Sequence, residues 1–340
     1  MRVYITVDTE SSIAGAWEHP DRRPLEAVRH VFCRIDGEDF GIPLLTKLTS
    51  RYGLRATYFV ETLATQCLGE ADTKSIFDFL KQQKQDVQLH CHPVFRLYAE
   101  HQKARRNGKE QPSPRPFDLI GHLDAEIQMD LLREAIGHFE SFAGYRPTAF
   151  RAGCFAGSRS MLRCLRDLGI FVDSSFNPCY HPRISFPGDH LAPNLVQNIE
   201  GVWEIPVTVA RTKLPEGFNE FKFADCSSLS FSEIRMMLDT AVAAGQEHFV
   251  IVFHSFSAVK AKDDTYAKMR PNKVVIRRLE SMFRYLAENG DRFQVDTMGS
   301  IAKQVETLNA QSPEPVIATL GIATAIARKA VQLFNNAYWV

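Results

Sequence analysis

Short apolar, β-branched runs alternate with segments of helical spacing along the whole chain. The runs are VYITV (3–7), ATYFV (56–60), DVQLH (86–90), TAFRA (148–152), GIFVDSS (169–175), VWEIPVTV (202–209), FVIVFH (249–254) and RFQVDT (292–297). Each reads as a buried strand. Between them, 124–144 carries Leu132, Ile136 and Phe139 on one helical stripe, and 158–169, 231–245 and 272–290 repeat the pattern. Gly144, Gly169, Gly245 and Gly290 stand where a helix closes on a left-handed residue. Strand–helix alternation implies a parallel α/β sheet, and seven or eight units over about 300 residues suit a single barrel better than an open sheet.

Two segments break the alternation: 101–122, rich in Pro and charge, and 177–194, rich in Pro, His and Asn. Long insertions after strands are functional loops more often than connectors, so both are expected to wall a site. The segment PVIATLGIATAIARKAVQLF (315–334) is the most apolar of the chain, but Arg328 and Lys329 interrupt it before the ~20 residues that span a bilayer. A docked amphipathic helix is expected there, with weak contact to a membrane surface as the second reading.

With 340 residues and 45% hydrophobic side chains the chain can bury a large core. Forty basic against forty acidic residues give zero formal charge, so no global field gathers nucleic acid. Seven cysteines without a CxxC pair argue against a disulfide framework and a structural zinc knuckle. That usage, and a first strand entered directly after Met1-Arg2, point to a cytoplasmic location. The chain has no GxGxxG or GxxxxGK loop and no internal repeat.

In parallel α/β folds the carboxyl ends of the strands hold the site. At those ends stand Asp8 and Glu10, His90 and His92, Arg151, Asp173, Glu204 and His254. Any one of them is most simply a surface residue just past the core, and Glu10 is equally well a loop or capping carboxylate. As a set they must pair, shift pKa or bind a metal. His90 and His92 project to the same side of an extended strand, so both imidazoles can share one ion, and two histidines with a carboxylate form a standard open catalytic Zn²⁺ set. Arg151 needs a carboxylate partner if buried, with Asp8 and Asp173 the candidates. His254 ends the most hydrophobic strand, where a satisfied core histidine is the ordinary finding; its position beside the acids favours a general acid.

The ordered motifs TVDTE, LHCHP, FRAGCF, VDSSF and IVFHS, over residues 3 to 256, resemble the polysaccharide deacetylase family, the NodB-homology or carbohydrate esterase 4 group. GIPLLTKLTSRYGLRATYFVE and VWEIPVT support the resemblance. It implies a single distorted NodB-like (β/α) barrel of about seven parallel strands over 1–300, with long loops at the catalytic face and a helical extension over 301–340 packed on it. By the same resemblance Asp8 is the base; Glu10, His90 and His92 hold a divalent metal, Zn foremost and Co, Mn or Ni alternatively; Arg151 and Asp173 orient and tune the base; His254 is the acid. The Cys154 amide completes the oxyanion site, with Phe155 beside the substrate. This chain departs from the family pattern: Thr9 separates the two acids, the histidines are two apart with Val94 where the second is usual, and Gly153-Cys154 replaces Pro-Tyr. His122 is the alternative third ligand.

The implied activity is metal-dependent amide hydrolysis, foremost N-deacetylation of an acetamido sugar or glycan intermediate. A small non-sugar amide and a catalytically silent glycan-binding relative are the alternatives. Phe117, Phe155, Phe176, Tyr180 and Trp203 are candidates to stack on a sugar or to fill the core.

Overall fold

The computed structural model describes residues 1–19, 21–108, 117–213, 220–308 and 314–337, with residues 336 and 337 described by their backbone alone. Its strands are β1 (Arg2–Thr9), β2 (Arg34–Ile35), β3 (Glu38–Asp39), β4 (Thr57–Glu61), β5 (Asp86–Cys91), β6 (Ala149–Ala152), β7 (Val172–Asp173), β8 (Gln197–Ile199), β9 (Val202–Glu204), β10 (Val209–Thr212), β11 (Phe221–Phe223), β12 (His248–His254), β13 (Val259–Ala261), β14 (Met269–Pro271), β15 (Gln294–Asp296) and β16 (Thr319–Leu320). The main sheet runs β12-β1-β4-β5-β6-β7-β9-β8, with β15 also on β1. Seven strands of this path are mutually parallel, and only β8 is antiparallel, on β9. The sheet curls round: Val252 N–H reaches the Ala224 carbonyl at 3.0 Å and Thr208 N–H the Val250 carbonyl at 3.3 Å, linking β12 to the far side. The result is the distorted, mostly parallel α/β barrel expected from the alternation.

The helices are α1 (Ala27–His30), α2 (Ile42–Arg51), α3 (Thr65–Leu68), α4 (Glu70–Gln82), α5 (Pro93–Arg106), α6 (Ala125–Ala143), α7 (Arg159–Asp167), α8 (Phe231–Ala243), α9 (Lys273–Glu288), α10 (Met298–Ala302) and α11 (Ile322–Ala337). The strands read as continuous apolar runs because both faces are covered. Odd positions of β1 and β12 (Val3, Ile5, Val7; Phe249, Ile251, Phe253) join the large core under the helices, with Tyr58, Val60, Leu89, Cys91, Phe150 and Ala152. Tyr4, Phe59, Ala149, Val250 and Val252 form a second cluster inside the curl. Period-2 alternation therefore aims Asp8, His90, Arg151 and His254 into the lumen, in phase with Tyr4, Ala149 and Val252.

Several expectations change. The run 202–209 is two strands: β9 pairs with β7, whereas β10 joins a small sheet with β11 and β16, and Pro206, without an N–H, stands at the break. Of the predicted loop 101–122, residues 101–106 continue α5, which has Pro at its first turn and a Lys/Arg/Gln/Ala-rich end that favours helix; 109–116 lie outside the described residues. Gly144, Gly169 and Gly245 have the expected positive φ. α9 instead stops at Asn289, whose carbonyl accepts from Arg292 and Phe293 and turns the chain before Gly290 is used. The segment 177–194 is irregular, as expected. The C-terminal extension is partly a strand, since β16 adds to β10 before α11 begins.

Candidate active site

Asp8 lies directly across from His254 in the β1–β12 register. Its Oδ1 accepts from Arg151 Nη1 at 2.7 Å, with both side chains almost wholly buried. Arg151 also donates to the Thr6 hydroxyl (2.8 Å) and to the carbonyl and hydroxyl of Ser174 (2.9 Å each). Its guanidinium lies 4.4 Å from the Phe59 ring centre. A buried guanidinium held by four hydrogen bonds in this way fixes its carboxylate partner in one orientation.

Beside this pair, Glu10 Oε2 lies 3.1 Å from His90 Nε2 and 2.6 Å from His92 Nε2, and the two Nε2 atoms are 3.1 Å apart. His90 Nδ1 is 2.7 Å from the Arg151 carbonyl, and His92 Nδ1 is 2.6 Å from Asp118 Oδ2. Neither oxygen can donate, so both Nδ1 atoms carry protons and both Nε2 atoms face Glu10. Two imidazole lone pairs at this separation repel unless a cation lies between them. Carboxylate- or carbonyl-held imidazoles converging on one carboxylate are what a divalent first-row metal requires, so the donor set fits such an ion.

Electrostatics agree with a cation site. Burial works to raise the Glu10 carboxyl, but the His92 charge and hydrogen bonds from both histidines hold it well below the usual range. Burial lowers His92, and Asp118 and Glu10 outweigh that and hold it well above an ordinary histidine. Beneath His92, Glu61 accepts the N–H groups of Leu63 and Ala64 (2.8 and 2.7 Å), and burial pushes it up to about 7. Gly153 is required by contact: a Cβ there would sit 2.5 Å from His92 Nδ1.

His254 Nε2 lies 4.0 Å from Glu10 Oε1, its side chain is 32% exposed, and its backbone N–H donates to the Ser257 hydroxyl. Three partners of the site carry no sequence motif. Asp118 comes from the end of the loop read only as a wall. His30, on α1, places Nδ1 2.7 Å from the Glu10 carbonyl and packs on Phe256 and Tyr266. Asp225 is raised by burial, and the nearby His254 charge opposes that rise.

Asp173 is not joined to Arg151. It follows Val172, which faces the lumen, so alternation turns its carboxylate to the other face. There it accepts from the Ser175 hydroxyl at 2.6 Å and meets Glu204. Burial raises both acids, and the charge of Asp173 drives Glu204 further up. Ser174, in phase with the lumen, is the residue that bonds Arg151. His122 Nε2 bonds the Ile184 carbonyl, away from Glu10.

Cys154 sits at positive φ on the turn after β6, and its thiol, raised to about 11 by burial, lies 3.8 Å from Asp118. Phe155 stacks on Tyr180 at 5.7 Å and 13°, and both approach Phe223. These three rings form an aromatic wall near Arg151. Phe176 is fully buried against Phe186, and Trp203 packs on the inner cluster, so these two belong to the core.

The mostly parallel, distorted α/β barrel is a fold also found among solved polysaccharide deacetylase structures. Among solved structures, a candidate polysaccharide deacetylase from Mycobacterium smegmatis is similar at 14% identity and a TM-score of 0.52, over 92% of this chain and 93% of that one. The Puue allantoinase is similar at 14% identity and a TM-score of 0.52, over 92% of each chain. No protein-family model and no curated protein matches the sequence. Among the described residues no helix is long and apolar enough to cross a membrane.

Proposed function

We propose that the chain is a metal-dependent amide hydrolase, foremost an N-deacetylase of an acetamido sugar or glycan intermediate. The observation that carries this reading is the convergence of His90 Nε2, His92 Nε2 and Glu10 Oε2, with both Nδ1 atoms already engaged, beside an Asp8 held by buried Arg151. Glu10, His90 and His92 hold the ion, Zn²⁺ foremost with Co²⁺, Mn²⁺ or Ni²⁺ as alternatives; once bound it supplies Lewis-acid polarisation and acidifies water.

Asp8, oriented by Arg151, takes the proton of the attacking water. The Cys154 amide donates to the oxygen that becomes negative as the carbonyl carbon turns tetrahedral. His254, partly open to the substrate, returns a proton to the departing nitrogen. Phe155, Tyr180 and Phe223 offer a stacking surface to a sugar ring. Asp173 supports the Arg151 side of the site through the Ser174–Ser175 turn rather than by direct contact. The barrel domain of residues 1–300 carries this chemistry, and 301–340 is its C-terminal extension, described over 301–308 and 314–337. All seven cysteines are free thiols, which supports a cytoplasmic substrate.

The test is acetate release by metal-loaded protein from N-acetylhexosamines, their oligomers and small non-sugar amides, alongside Asp8→Asn. Release from an acetamido sugar, reduced on the order of 100-fold or more by Asp8→Asn, is expected. Cleavage of small amides alone would move the substrate to that class. A loaded protein inert on the whole panel would contradict hydrolysis.

A further inference from the structure

Helix α11 is docked with its polarity inverted. The positions turned toward the barrel are Ala325, Arg328, Gln332 and Asn335, spaced three and four apart on one stripe. Arg328 is buried, with Nη1 3.3 Å from Glu233 Oε1, and Glu233 is the capping-box residue of α8. Gln332 donates to the Ser228 carbonyl at 3.2 Å, and Asn335 donates to Asn272 Oδ1 at 3.2 Å while its carbonyl accepts from Lys260. The apolar side chains face outward: Ile322, Ile326 and Leu333, on one stripe about a third of a turn round the helix from the docked one, are 52, 65 and 58% exposed, and Val331 and Phe334 are exposed elsewhere on the outer surface of the helix. An amphipathic helix left to itself would dock the other way. Polar anchors at three levels hold this one apolar side out.

What the face meets is indicated by charge. The chain as a whole is neutral, yet residues 316–337 contain Arg328 and Lys329 and no acid. The β13–β14 hairpin and the start of α9, which hold the C-terminal end of α11 through Lys260 and Asn272, carry Lys260, Lys262, Lys268, Arg270, Lys273 and Arg277 against Asp263 and Asp264. Asp264 is itself paired with Arg22. An apolar helical stripe beside concentrated positive charge fits the headgroup layer of an anionic bilayer. A second copy of the chain fits less well, because a two-fold contact through this face would bring two basic surfaces into one interface.

We infer that α11 and the basic β13–β14 hairpin form a reversible docking surface for anionic lipid membranes. The hairpin follows β12, whose last residue is His254, and packs through Tyr266 on His30. The docking surface thus adjoins the mouth of the barrel. It is independent of the amide-hydrolase reading.

The test is flotation of the full-length protein with vesicles of phosphatidylcholine containing about one third phosphatidylglycerol, and with pure phosphatidylcholine vesicles. The wild type is expected to float with the anionic vesicles and not with the neutral ones. Ile326→Asp/Leu333→Asp, at exposed positions, is expected to lower the bound fraction roughly tenfold or more, and Lys262→Glu/Lys268→Glu to weaken it several-fold. Circular dichroism checks that the variants are folded. Absence of wild-type flotation, equal flotation with neutral vesicles, or full flotation of folded Ile326→Asp/Leu333→Asp would each overturn the inference. So would light scattering that finds a dimer in solution which that double variant dissolves, since a second copy would then cover the face.

Discussion

Asp118 Oδ2 lies 2.6 Å from His92 Nδ1, on the side of the ring opposite Glu10. Asp118 also accepts the Val94 N–H at 3.2 Å, so the start of α5 fixes the carboxylate that fixes the imidazole. Such an acceptor sets both the tautomer and the basicity of a ligating histidine. Asp118→Ala is expected to lower Zn²⁺ affinity about 10–100-fold, measured by chelator competition, with little change in the far-ultraviolet circular dichroism.

Gly153 lies against the same ring, nearest its Nδ1. Gly153→Ala forces a methyl into the 2.5 Å approach to His92 Nδ1 and must displace the ring or the turn. The expected result is a loss of about 1–3 kcal/mol in denaturant stability together with weakened metal binding. An unchanged metal affinity would show that the ring can move without consequence.

The Arg151–Asp8 pair is buried, so removing one member leaves an uncompensated charge. Arg151→Met is expected to cost about 3–5 kcal/mol in urea unfolding. Asp8→Asn/Arg151→Met together should cost less than the sum of the single changes, the signature of direct coupling in a double-mutant cycle.

At the opposite end of the barrel, His248 Nδ1 is 3.0 Å from the Tyr4 hydroxyl and the rings stack. Burial lowers the His248 pKa from the ordinary 6.5 to about 4. The unfolded chain therefore binds a proton that the folded one refuses across that interval, and stability falls as the pH drops from 6.5 toward 4. A loss of about 2–3 kcal/mol over this range is expected from denaturant midpoints, and His248→Gln should flatten the slope.

The run of strand-end acids and histidines was readable because period-2 alternation is strict: Asp8, Arg151 and His254 share a phase with lumen-facing apolar residues of their own strands, and His90 alternates with the helix-facing Leu89 and Cys91. The same rule, applied one residue further, would have placed Asp173 on the far face, since it adjoins Val172. Asp118, His30 and Asp225 were not legible, because each lies off the barrel strands, on a loop or a one-turn helix whose position depends on long-range packing. The split at Pro206 was signalled by the residue itself. The inverted docking of α11 was not, since hydrophobic periodicity gives the apolar side of a helix but not which side the rest of the molecule will hold.

The most direct measurement is elemental analysis of untagged protein for first-row metals, on the wild type and on His92→Ala in parallel. About one equivalent per chain in the wild type, lost in the variant, is the predicted result. A wild type that carries no metal and takes up none from added Zn²⁺ would contradict the assignment of Glu10, His90 and His92 as a metal centre, and with it the proposed hydrolysis.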